Sequence, residues 1–234
     1  MKLELLKAIN AARRERRACA MVTRLGDGEQ RFVPAEAVAA DPLAEPLEAA
    51  LRAGKSATIE HDGASYFLTV QVPPVRLVMI GAVHISQALA PVARIAGLDP
   101  SIIDPRTAFA TPERFPDVPV AAEWPDEALE ASPLDRYTAI CLLTHDPKID
   151  DRALVRALRA ECFYIGALGS RKTHAKRLER MRAEGFDEAT LVRIRAPIGL
   201  DIGAVSPAEI AVSIIAEIIA GLRKKPLRSE GATP

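Results

Sequence analysis

The chain has 234 residues, 49% of them hydrophobic and 26% charged, and its 31 lysines and arginines balance its 31 aspartates and glutamates. This is the composition of a soluble globular protein with room for one large or two modest domains, and the charge balance excludes any general pull toward nucleic acid or membrane. No apolar run reaches membrane length, the charged segment Met1-Lys-Leu-Glu-Leu-Leu-Lys-Ala8 does not read as a signal peptide, and Cys19, Cys141 and Cys162 lie too far apart for a zinc site or disulfide framework, so a reduced, cytoplasmic protein is expected.

In chain order, Leu3 to Arg16 has helical spacing. β-rich runs follow at Ala18 to Arg24, Ser56 to His61 and Tyr66 to Val72, with Gly26, Gly28 and Gly63 as turn punctuation. Between them Asp41-Pro42 predicts a helix start, Asp as cap and Pro pre-shaped for the first helical position. The texture changes at Pro73-Pro74, so residues 1–72 predict a small N-terminal α+β domain. In residues 73–234 apolar strands at Leu77 to Ile80, Ser101 to Ile103, Val118 to Ala121, Thr138 to Leu143 and Cys162 to Ile165 alternate with helices, which predicts an α/β domain with a doubly wound parallel sheet. Ser206-Pro-Ala-Glu209 is a capping box ahead of the apolar stripe Ile210, Ile214, Ile218 and Leu222. The polar tail from Lys224 onward is expected to fray.

The turn after the first of these strands starts a dinucleotide fingerprint without completing it. G-x-G-x-x-G asks for glycine at 81, 83 and 86, and the chain supplies Gly81, Val83 and Ser86. The Cβ and methyls of Val83 would fill the space a pyrophosphate needs, so NAD binding is not expected. Asp104 nevertheless stands about 20 residues on, at the end of the next strand, where an acidic residue holds a ribose hydroxyl in such units.

Ligands of open α/β sheets bind at the carboxyl ends of the strands, so the polar residues gathered there are the candidates. His84 reads equally as a helix-start residue or a ligand contact, and Asp104-Pro105-Arg106 as a turn or a ribose-type contact. His145-Asp146 resembles the adjacent pair of metal-dependent phosphohydrolases, but the further His and Asp ligands are missing and Asp146-Pro147 reads as well as a helix cap, so no metal is assigned. Gly166-Ala-Leu-Gly-Ser-Arg-Lys-Thr173 is the most specific candidate. Gly166 and Gly169 free the backbone to turn, Ser170 can cap the next helix, and Arg171 and Lys172 bring positive charge to an N-terminus that already favours anions. Asp201, in the Gly-punctuated loop Pro197 to Gly203, is a turn former or a contact to the same ligand.

Ile80-Gly-Ala-Val-His-Ile-Ser-Gln87, Ile103-Asp-Pro-Arg-Thr-Ala-Phe-Ala-Thr-Pro-Glu-Arg-Phe-Pro116, Leu143-Thr-His-Asp-Pro-Lys-Ile-Asp-Asp151, Tyr164-Ile-Gly-Ala-Leu-Gly-Ser-Arg-Lys-Thr173 and Ala196-Pro-Ile-Gly-Leu-Asp-Ile-Gly-Ala204 together resemble the XdhC/CoxI family. The resemblance implies a Rossmann-like domain over residues 73–234. It also implies an accessory protein that binds molybdenum cofactor of the molybdopterin type as cargo and delivers it to the apoenzyme of a xanthine dehydrogenase or carbon monoxide dehydrogenase type hydroxylase. A cysteine desulfurase as second partner and a homodimer are compatible with it. Two departures stand out: many members read G-A-G-H where this chain has Gly81-Ala82-Val83-His84, and residues 1–72 lack the Gly-Ser-x-Pro-Arg and Gly-Gly-Cys strings of longer relatives. A nicotinamide-dependent oxidoreductase built on Gly81 and Asp104, and a metal-dependent hydrolase centred on His145 and Asp146, are the alternative readings.

Overall fold

The structure is a computed structural model that describes residues 2–224; the tail expected to fray lies, beyond Lys224, outside the described residues. Two compact units divide the chain, Met1–Pro73 and Pro74–Pro234. Among the described residues no helix is long and apolar enough to cross a membrane.

The first unit runs α1 (Leu3–Arg14), β1 (Cys19–Arg24), β2 (Gln30–Pro34), a 3-10 turn (Ala35–Ala40), α2 (Ala44–Ala53), β3 (Ala57–His61) and β4 (Ala64–Gln71). Its antiparallel sheet has the order β2-β1-β4-β3 and packs Ala20, Val22, Val33 and Leu68 with Val38, Leu43 and Leu47. Strand β2 escaped the sequence reading because, of its five residues, Val33 alone is buried. The helix expected from Asp41-Pro42 begins at Ala44 instead. Asp41 accepts from the Leu43 amide at 2.8 Å and pairs with Arg31, so its carboxylate closes a turn ahead of the helix.

The second unit runs β5 (Arg76–Ile80), α3 (His84–Ile95), β6 (Asp99–Ile103), β7 (Val120–Ala121), α4 (Pro125–Ala131), β8 (Thr138–Leu142), α5 (Pro147–Arg159), β9 (Tyr164–Ala167), α6 (Arg171–Ala183), α7 (Glu188–Leu191), β10 (Ile194–Arg195) and α8 (Pro207–Lys224). All pairings in its six-stranded sheet are parallel, in the order β10-β9-β8-β5-β6-β7. That is the 3-2-1-4-5-6 order of a doubly wound sheet, in which the strand order reverses between β5 and β8. The unbroken apolar run of β5 follows from burial on both faces. Leu77 and Met79 pack toward Leu89, Ala93, Ile214 and Ile218 of α3 and α8, whereas Val78 and Ile80 pack toward Leu129, Leu154 and Leu158 of α4 and α5. Each such fully buried side chain contributes about 1.5–3 kcal/mol.

Several strand boundaries differ from the sequence reading by a residue or two, and three differences have a plain cause. The strand expected over Val118 to Ala121 is ladder-paired at Val120 and Ala121, since Pro119 has no amide to give. The strand expected over Cys162 to Ile165 is shifted to Tyr164–Ala167 by its register with Ala139–Leu142 of β8. A two-residue strand, β10, joins the sheet beside β9 and was too short to read. The capping box of α8 forms as expected: Glu209 Oε2 accepts from the Ser206 amide at 2.8 Å and Ser206 Oγ accepts from the Glu209 amide at 3.2 Å.

Candidate functional site

The strand order reverses between β5 and β8, and sheets of this kind bind ligands at the carboxyl ends of the strands beside such a point. The Gly81 turn stands on its β5 side. Gly81 has φ +118°, and a Cβ there would lie 2.8 Å from Thr144 Cγ2 and 3.3 Å from the Thr144 nitrogen, so only glycine lets the ends of β5 and β8 abut. Side chains engage the backbone of this turn. The Ala82 amide donates to Asp104 at 2.7 Å, Ser86 Oγ donates to the Gly81 carbonyl at 2.5 Å, and Arg114 donates to the Ala82 carbonyl at 2.9 Å. Ser86 thus uses the position of the fingerprint's third glycine to close the turn. Val83, at the N-cap of α3, packs partly buried against the core beneath that helix, and His84, the first residue of α3, is exposed.

Asp104 is fully buried and both its oxygens are engaged. Oδ1 accepts from the Arg106 amide at 3.0 Å and Arg106 Nε at 2.9 Å, while Oδ2 accepts from Arg106 Nη2 and the Ala82 amide, both at 2.7 Å. Burial alone would push this carboxyl up, but the bonds from the Arg106 side chain and the two backbone amides outweigh it and hold it below the usual range. Asp104 therefore links the Gly81 turn to Arg106. The Arg106 guanidinium, a third exposed, lies 4.8 Å over the ring of Phe109 and within the fields of Asp146 and Asp150.

On the other side of the reversal point stands the end of β8. His145 is exposed and has φ +62°, a left-handed conformation that side chains rarely adopt and that clusters at functional sites. Asp146 caps α5 by accepting from the Lys148 amide at 2.9 Å. Thr144 Oγ1 donates to Asp150 at 2.7 Å and accepts from the Asp146 amide at 3.0 Å. Burial pushes the Asp150 carboxyl up to about 6.

Beyond β9 the loop rises through Gly169, φ +129°, to Ser170, whose Oγ caps α6 by accepting from the Thr173 amide at 3.2 Å. Arg171 and Lys172 are exposed in its first turn. Gly166 has a different role from the one read in the sequence. It lies inside β9, where a Cβ would sit 2.5 Å from Ile198 Cδ1, so it makes room for close packing of the 197–203 loop rather than freeing a turn. That loop is fastened by Gly199 N donating to Glu217 at 2.8 Å and by Ser213 Oγ donating to the Leu200 carbonyl at 2.5 Å; Asp201 on it is exposed.

The structure thus connects Asp104 by direct bonds to Arg106 and to Ala82 of the Gly81 turn, and sets Asp146 within the field of Arg106. The Gly169 to Lys172 segment and His84 stand at the same end of the sheet on separate loops. Sequence reasoning missed Ser86, Arg114, Asp150 and Arg177. Asp150 carried a signal, since it falls on the apolar face of α5 formed by Ile149, Ala153, Leu154 and Ala157. Among the described residues no three His, Cys, Asp or Glu side chains are grouped to hold a metal ion.

The profile of the XdhC Rossmann domain matches residues 77–218, from the start of β5 to the body of α8. The chain belongs to the XdhC family. Among relatives of this XdhC chain, the Uncharacterized protein YqeB of Escherichia coli (strain K12) is 32% identical over 176 residues, 71% of this chain and 32% of that protein. The Molybdenum cofactor insertion chaperone PaoD of the same organism is 33% identical over 146 residues, 62% of this chain and 40% of PaoD. A probable xanthine dehydrogenase subunit of Bacillus subtilis (strain 168) is 31% identical over 148 residues, 63% of this chain and 43% of that protein. The XdhC chain therefore spans well under half the length of each of these relatives. The crystal structure of a xanthine dehydrogenase from Bacillus halodurans superposes with a TM-score of 0.66 at 22% identity, covering 94% of this chain and 67% of that one, which is a likeness of fold.

Proposed function

We propose that this XdhC protein binds molybdenum cofactor at the β5/β8 crevice and hands it to the apoenzyme of a molybdenum hydroxylase in the cytoplasm. One observation carries the reading. A chain 33% identical to a protein named a molybdenum cofactor insertion chaperone has Arg106, the Gly81 turn and the Ser170-capped start of α6 at the carboxyl ends of its parallel strands. The cofactor is a pterin with an anionic phosphate end. The amides and dipole of the α6 N-terminus, with Arg171 and Lys172, suit the phosphate, and Arg106, His84 and His145 offer polar contacts along the crevice. Delivery needs reversible hydrogen bonding rather than a nucleophile and base, and no catalytic residue is assigned.

The engaged carboxylate of Asp104 speaks against the nicotinamide alternative, since neither oxygen is left to hold a ribose hydroxyl. A cysteine desulfurase partner finds no thiolate to load among the three cysteines. All are buried, and burial pushes Cys162 up to about 12 and raises Cys19 and Cys141 as well. The reading does not need a homodimer. The test is transfer: a cofactor-free hydroxylase incubated with cofactor-loaded chain should gain activity faster than with free cofactor, and equal rates would reject the carrier role.

A further inference from the structure

On the helices that follow the His145 turn and the Gly169-Ser170 loop lie buried polar atoms with no partner. Asp150, 2% exposed, accepts from the Thr144 hydroxyl at Oδ1 and leaves Oδ2 unmatched. Arg177, also 2% exposed, donates through Nη2 to the Leu168 carbonyl at 2.9 Å and leaves Nε and Nη1 unmatched. His174 Nδ1, one turn earlier on α6, is unmatched too. Each such atom has given up its hydration without a replacement bond, so a fold that retains them together calls for an explanation. The Asp150 carboxylate and the Arg177 guanidinium lie within each other's field, yet their unmatched atoms do not bond directly.

We propose that Asp150 and Arg177 form a positioning pair that couples the His145 turn to the Gly169-Ser170 loop. Asp150 holds the Thr144 hydroxyl, which in turn accepts from the Asp146 amide, so the left-handed His145 is clamped between two fixed neighbours. A strained residue of this kind persists only where its surroundings over-determine it. Arg177 holds the carbonyl of Leu168, whose amide is bonded to Leu142 of β8 at 2.9 Å, directly before Gly169. Asp150 rides on α5 and Arg177 on α6, so each of the two loops is fastened to one helix, and the attraction across the buried gap ties the helices' places together. Asp151 adds to the negative field on Arg177 and is itself paired with Arg180, at 2.5 Å. The consequence for ligand rests on the proposed cofactor site; the coupling of the loops does not.

Backbone amide NMR of the full chain without ligand reads the coupling. Asp150→Asn keeps the shape and the Thr144 contact but removes the charge. It is expected to move the amides of Gly169 and Ser170 as well as those of Thr144 and His145, and Arg177→Lys should move the same two groups. Shifts confined to the loop next to each substitution, with a lower melting temperature as the sole other effect, would mark a purely structural role and overturn the proposal. Molybdopterin titrated by its fluorescence supplies the second readout: each single variant should bind about tenfold more weakly and the double variant no more weakly than either single. Losses that multiply in the double variant would also overturn it. If the parent chain takes up no molybdopterin while the amide shifts are shared, the proposed function fails and the coupling stands. Should Asp150→Asn not fold, Thr144→Val, which removes the hydroxyl and leaves the carboxylate, is read in its place.

Discussion

Replacing Asp104 with alanine should destabilise the second unit rather than simply empty a ligand contact. The carboxylate is fully buried and accepts four hydrogen bonds. The Ala82 amide, left unmatched in a buried turn, costs about 1–3 kcal/mol. The Arg106 guanidinium, 35% exposed, can recover part of its hydration, so its loss is smaller, about 1 kcal/mol. Together these give about 3 kcal/mol, which for a unit of this size lowers the melting temperature by roughly 6–12 °C. Fluorescence of Trp124, the chain's one tryptophan, follows unfolding of that unit specifically. The sign with pH is also fixed. Asp104 has a folded-state pKa below its unfolded one, so its stabilisation is present above the ordinary carboxylate range and fades as pH falls through the folded value, and the gap between parent and variant should shrink in acid. A melting temperature lowered by less than about 3 °C at pH 7 would refute the reasoning that Asp104 holds the turn.

The double substitution Arg171→Ala and Lys172→Ala, at exposed positions, should leave the melting temperature unchanged and weaken molybdopterin binding by about 1–3 kcal/mol for each charge-assisted hydrogen bond removed, read by fluorescence titration. For Asp150, pushed up by burial to about 6 against an unfolded value of 3.8, the stabilisation is full below the lower value and is lost as pH rises through the upper. Denaturant unfolding should accordingly show the parent losing about 3 kcal/mol relative to Asp150→Asn between pH 3 and pH 8, and a pH-independent difference would refute the shift. Gly166→Ala should destabilise the fold by roughly 1–3 kcal/mol, because its Cβ meets Ile198 and Tyr164 at 2.5–2.7 Å, as chemical denaturation would show. His145→Gly should stabilise the fold by up to about 1 kcal/mol through relief of the left-handed backbone, while molybdopterin binding weakens.

The doubly wound unit was legible because each of its longer strands is buried on both faces. Leu77 to Ile80 and Ala139 to Leu142 announce themselves as continuous apolar runs, and Gly81 and Asp104 mark where the first two strands end. Half-exposed elements carried no such signal: β2 mixes Gln30 and Arg31 with Val33, and β10 is two residues long. The candidate site was legible as strand ends but not as chemistry. Asp104 looked like a ligand contact from its spacing, yet its partners are Ala82 and Arg106, and only three-dimensional proximity could reveal that a side chain 22 residues away holds the turn. Gly166 looked like a turn glycine, and the need for it lies in Ile198, a residue with no local relation to it. Arg177 sits among the basic residues of α6 and reads as one more solvated charge, until burial and the Leu168 carbonyl set it apart.

The most direct measurement is to purify the chain from a host that makes molybdenum cofactor and to quantify bound pterin by mass spectrometry and fluorescence, beside the Arg171→Ala and Lys172→Ala double variant. Near-stoichiometric pterin on the parent chain and a marked loss on the folded variant are the predicted result. A parent chain free of pterin, or a variant that retains as much as the parent, would contradict a cofactor site at the start of α6.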